Sequence, residues 1–74
     1  MTYRQFRAWC NKRAADGCWS MKTAMFCINI VGEMEKIPFW KREKVWKEKY
    51  EEEIKKDVIE PIEKKMIEVY GKVL

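Results

Sequence analysis

The chain has no histidine, so the most frequent general base near neutral pH and the most frequent nitrogen ligand of zinc are both missing. Glycine occurs only at 17, 32 and 71, too widely spaced for a loop that cradles phosphate. The longest uninterrupted apolar run is Ala24 to Ile28, far short of a membrane span, and the basic start of the chain leads into no apolar segment of the signal-peptide kind. That pattern predicts no membrane association and a cytosolic protein. Cysteine is scarce and odd in number, Cys10, Cys18 and Cys27, which argues against a disulfide framework and for reduced thiols.

What is present fits one small folded domain over residues 1–74. A chain of 74 residues that is 47% hydrophobic and 14% aromatic is too apolar for a disordered tail and too short for a layered enzyme fold with a deep cleft. The net charge is +4. All of that excess lies in residues 1–30, where Arg4, Arg7, Lys12, Arg13 and Lys22 face Asp16 alone, while the remainder of the chain balances.

Hydrophobic periodicity is helical throughout and predicts an all-α fold, a small bundle of three helices. Thr2 and Gln5 have capping-box spacing, and Tyr3, Phe6, Trp9, Cys10 and Arg13 follow at intervals of three and four until Asp16-Gly17, giving a first helix over 3–15. Ser20 caps a second helix over about 19–36, the most apolar and the one expected to be most buried. A third begins at Pro38 and carries Phe39, Trp46, Tyr50, Ile54, Val58, Ile62, Met66, Val69 and Val73. If continuous it would run to about 54 Å, so it is expected either to be kinked at Pro61 or to be broken there into a fourth helix. The expected core is Phe6, Trp9, Met25, Ile28, Val31, Trp46, Tyr50 and Ile54.

The carboxylates occur at helical spacing from lysines: Glu43 with Lys47, Glu51 with Lys55, Glu52 with Lys56, Glu60 with Lys64 and Glu68 with Lys72. Such i, i+4 pairs describe a solvated helix face rather than acid–base catalysis, and no enzyme is expected. A zinc site is the alternative use of the cysteines, with Cys10, Asp16, Cys18 and Cys27 as ligands. The gaps of seven and eight residues lack the short hooks of structural zinc sites, and no cofactor is expected.

Candidate binding residues fall in three groups. The basic residues Arg4, Arg7, Lys12 and Arg13 of the first helix could meet nucleic-acid phosphates. Trp40, with Lys41 and Arg42 beside it, lies off the apolar stripe and suits an exposed interface anchor. Met66 and Val69 belong to an apolar seam on the overhanging end of the last helix, which predicts a homodimer or a partner docked there.

The segments Tyr-Arg-x-Phe-x-x-Trp-Cys-Asn at 3–11, Asp-Gly-Cys-Trp at 16–19, Pro-Phe-Trp-Lys-Arg-Glu at 38–43 and Ile-Glu-Pro-Ile at 59–62 resemble small proteins encoded by phages and prophages of Gram-positive bacteria. The resemblance runs along nearly the whole chain. It implies a protein of the host bacterial cytosol, of the kind that includes anti-CRISPR and other anti-defence proteins. On that reading the chain is a non-enzymatic inhibitor that binds a bacterial defence nuclease, a CRISPR effector above all. The alternative is a nucleic-acid-binding accessory protein of phage replication or regulation. At +4 the chain departs from acidic DNA mimics, so inhibition would work by binding a protein surface or by occupying a guide or target channel through shape.

Overall fold

The computed structural model describes residues 1–74 as an all-helical bundle: α1 (Tyr3–Asp16), α2 (Met21–Glu35), α3 (Phe39–Lys49) and a last helix, α4, made of Glu51–Ile54, a π-helical turn Lys55–Ile59 and Glu60–Tyr70. No helix is long and apolar enough to cross a membrane.

α1 starts as its sequence predicts. The Thr2 hydroxyl accepts the Gln5 N–H at 3.1 Å and the Gln5 side chain accepts the Thr2 N–H at 2.9 Å, a reciprocal cap. Two amide donors at the start of the helix remain, those of Tyr3 and Arg4, and both are taken by the Glu43 carboxylate of α3 at 2.8 and 3.2 Å. A carboxylate there also complements the positive end of the helix dipole. At the other end Gly17 takes the left-handed conformation at φ 67° and donates to the Arg13 carbonyl, closing the helix as a glycine can without strain.

α3 and α4 are not one helix. The break falls at Tyr50, with φ −120° and ψ −32°, and the molecule is only 38 Å in its longest dimension. Charge marks the junction: Lys47 and Lys49 end α3, and Glu51, Glu52 and Glu53 begin α4, each sign beside the helix pole it favours. The Met1 ammonium contacts Glu51 at 3.1 Å, and none of the five expected i, i+4 pairs forms an ion pair.

At Pro61 the helix does not break. The preceding turn widens, the Glu60 N–H bonding the Lys55 carbonyl five residues back. Proline has no N–H, and its ring would collide with the carbonyl four residues back in a regular helix. A π turn gives that carbonyl room. It also brings two consecutive residues, Val58 and Ile59, into the core.

The core joins Tyr3, Phe6, Trp9 and Cys10 of α1 to Cys27, Ile30 and Met34 of α2, Trp46 of α3, and Ile54, Val58 and Ile59 of α4. Trp46 is its centre, stacked on Phe6 at 4.7 Å and tilted against Tyr3 at 5.9 Å. Its indole N–H donates to the Met1 carbonyl at 2.8 Å, so this fully buried ring carries no unpaired donor. Phe6, Trp9, Trp46 and Ile54 are buried as expected, and Val31 and Tyr50 are half-buried. Met25 and Ile28, expected in the core, lie outside it with 55% and 60% exposure. α2 has apolar residues on every side, so period alone does not fix its phase. Three of its polar residues, Lys22, Asn29 and Glu33, share one exposed face, and the buried Cys27, Ile30 and Met34 lie away from it.

Candidate protein-interaction surface

The first turn of α3 presents Phe39 and Trp40 to solvent at 74% and 69% exposure, edge to face with ring centroids 5.2 Å apart. Two large aromatics this open in so small a protein have no packing role. They are held on a rigid base. Pro38 enters the helix with φ −53°, and Arg42 and Glu43, within the next turn, lock α3 to its neighbours. Arg42 donates Nε to the carbonyls of Met34 and Ile37 at 3.2 and 2.9 Å and Nη2 to that of Glu35 at 3.1 Å. It thereby satisfies the carbonyl end of α2, while Glu43 satisfies the amide end of α1. Successive residues of one helix thus close two others, and Phe39 and Trp40 project from that closed corner.

The Glu35 carboxylate ties the same corner together. It accepts the Tyr3 hydroxyl at 3.2 Å and pairs with Arg7 at 2.8 Å and Arg42 at 3.1 Å. Burial, and then the Glu35 charge, push the Tyr3 phenol up to about 12.

Of the residues singled out in the sequence, Trp40 and Lys41 are exposed, whereas Arg42 is spent on capping α2. Lys41 leaves the helix about 100° away from Trp40, while Lys44 and Lys47, at i+4 and i+7 from Trp40, share its side and are exposed. That spacing identifies them, although the i, i+4 pattern also places Lys47 beside Glu43, and no ion pair forms there.

The basic group of α1 separates. Arg4 and Lys12 are exposed and form no ion pair. Arg7 is held by Glu35. Arg13 is fully buried, which corrects its reading as a surface cation. It pairs with Asp16 at 3.0 Å, donates to the Leu74 carbonyl at 2.6 Å and to the Met66 sulfur, and lies over the Trp9 ring at 5.7 Å. Its Nε and the Trp9 indole N–H are buried without partners. Burial alone raises the Asp16 carboxyl, but the Cys18 N–H at 2.9 Å, the Cys18 thiol and Arg13 bring it below its usual value.

The expected C-terminal seam is corrected as well. Met66 is buried against Arg13, and only Ile67, Val69, Tyr70 and Val73 of that region are open. Met66 and Val69 instead line a groove of about 520 Å³ between the α1–α2 turn and α4, with Trp19, Ile62 and Tyr70.

The four residues considered for zinc do not converge, since no three cysteine or carboxylate groups lie close enough to share an ion. Cys10 and Cys27 meet at the α1–α2 contact, where a hydrogen bond to Cys27 and burial push the Cys10 thiol up and the same bond lowers Cys27. Cys18 lies apart, in the turn with Asp16.

No protein-family model, curated protein or solved structure matches the chain.

Proposed function

We propose that this chain is a non-enzymatic binding protein that docks on a protein partner through Phe39 and Trp40, with Lys44 and Lys47 alongside. The finer reading is a phage-type inhibitor of a bacterial defence nuclease, a CRISPR effector above all, acting in the host cytosol. The observation that carries it is the pair of open aromatics on a helix turn fixed from behind by Arg42 and Glu43. Tryptophan on a rigid base, exposed in the free protein and flanked by charge, is the usual composition of an interface hot spot. Anchors that are ordered beforehand lose little entropy on binding.

Binding to nucleic acid is the second reading, supported by the same tryptophan and lysines, which could stack a base and meet phosphate. It is weakened because Arg7, Arg13 and Arg42, three of the four arginines, are engaged within the protein. The two readings separate in one experiment. Target-DNA cleavage by purified CRISPR effectors of Gram-positive bacteria is measured with increasing amounts of the protein, beside a titration of labelled DNA and RNA at two salt concentrations. Inhibition near stoichiometric amounts that Trp40→Ala abolishes supports the inhibitor. Unchanged cleavage, with DNA or RNA binding that weakens steeply in salt, supports the second reading.

A further inference from the structure

The outward side of α2 carries Met21, Met25, Ile28 and Gly32, at intervals of four, three and four. Met21 is 78% exposed, and Met25 and Ile28 are more than half open. These residues form one continuous apolar stripe along a helix that nothing covers, on the side opposite the buried Cys27, Ile30 and Met34. A Cβ built at Gly32 meets no atom within 4 Å, and its backbone conformation is ordinary helix, so neither packing nor dihedral angle within the protein calls for glycine there. A glycine in the interior of a helix weakens it. What it does provide is a notch at one end of the exposed stripe.

We infer that α2 is the dimerisation surface of this protein, pairing with α2 of a second copy in the antiparallel sense. The occupant follows from self-complementarity. When two such helices run antiparallel about a point between Met25 and Ile28, Met21 of each copy falls opposite Gly32 of the other. Met25 then falls opposite Ile28. The long, flexible methionine at one end fills the notch at the other, twice by symmetry, as an isologous contact requires. Charge agrees with the same register. Lys22 and Glu33 lie on one flank of the stripe, and in an antiparallel pair equal flanks meet, which brings Lys22 of each copy to Glu33 of the other. Lys22 has no ion pair within the chain, and Glu33 has only the loose contact with Lys36 at 3.3 Å, both ends largely exposed. In the parallel sense Met21 would face Met21 and Gly32 would face Gly32, leaving the notch unfilled, and the flanks that carry Lys22 and Glu33 would lie on opposite sides of the seam. Phe26, partly exposed on that flank, comes close to its own copy at the two-fold axis.

The test is sedimentation equilibrium of the full chain from micromolar to millimolar concentration, with circular dichroism as the control for folding. The wild type is expected to dimerise, and Ile28→Glu to remain monomeric with unchanged helix content. Lys22→Glu and Glu33→Lys should each weaken the dimer about threefold to tenfold by setting like charges opposite one another, and the double exchange should restore it. A wild type that stays monomeric throughout overturns the inference. So does a dimer that survives Ile28→Glu, which places the contact elsewhere, and so does a double exchange that merely adds the two losses, which rules out the antiparallel register.

Discussion

Trp40 and Trp46 stand six residues apart on one helix and have opposite fates. Trp46 is 1% exposed, ringed by Tyr3, Phe6 and Tyr50, with its N–H bonded to Met1. Trp40 touches only Phe39 among the aromatics and faces water. Six residues turn a helix by about 240°, enough to place one tryptophan in the core and the other away from it. The same division repeats between them, where Arg42 and Glu43 reach the ends of α2 and α1 and Lys44 makes no such contact. A single helix therefore supplies the centre of the core, two caps and the proposed docking face, and substitutions along it should separate those roles.

The largest effect is expected at Trp46. Trp46→Ala removes the centre of the aromatic cluster at a cost of about 3–5 kcal/mol, which leaves a domain of this size with little or no stability. Loss of the cooperative thermal transition checks it, and a variant melting within a few degrees of the wild type would displace Trp46 from the centre of the core.

Arg13 comes next and tests what lies at the opposite end of α1. Arg13→Ala opens a cavity over Trp9 and beside Met66, and about 3 kcal/mol should be lost. Arg13→Met fills the same space without the charge or the unpaired Nε, and denaturant titration should show most of that loss recovered. Equal losses in the two variants would mean that the ion pair, not the filling of space, is what Arg13 supplies.

Glu43→Ala removes the carboxylate from two amide donors of α1 and should cost about 1–2 kcal/mol. Lys47→Ala, the change that the i, i+4 reading would rank equal to it, should be nearly neutral.

A pH titration reaches Asp16. Its carboxyl is lower in the folded protein than in the unfolded chain, so its contribution is complete above the unfolded carboxyl range near ~4. That contribution is lost as pH falls through the folded value. Melting temperatures of the wild type and Asp16→Asn should differ at neutral pH and converge in acid. A gap that persists in strong acid would show that the carboxylate charge is not what matters.

These contrasts also show how much of the fold was legible in the sequence. α1 was readable to its cap, because Thr2-x-x-Gln5 and Asp16-Gly17 are local signals and Tyr3, Phe6, Trp9, Cys10 and Arg13 make one clean stripe. Arg13 belonged to that stripe as well as to the basic group, and the stripe was the better guide. α2 was misphased because counting apolar residues cannot choose a face when they lie on all sides. Lys22, Asn29 and Glu33 mark the outward side, and the apolar stripe beside them is what the proposed second copy covers. The break at Tyr50 involves neither glycine nor proline, and its signal was electrostatic: lysines before the junction and three glutamates after it. Proline usually ends a helix, yet at Pro61 a π turn accommodates it without losing the helix. Trp40 was legible as an exposed aromatic because it falls off the apolar stripe, whereas Lys47 was hidden behind an ion pair with Glu43 that does not form.

If Phe39 and Trp40 form the docking face, Trp40 serves binding and not the fold. Urea denaturation of Trp40→Ala beside the wild type tests it. The predicted result is the same midpoint and the same slope, with less than about 0.5 kcal/mol between them, as for a surface change outside any packed contact. A loss of 2 kcal/mol or more, on the scale of a buried aromatic, would place Trp40 in the core beside Trp46 and contradict the account.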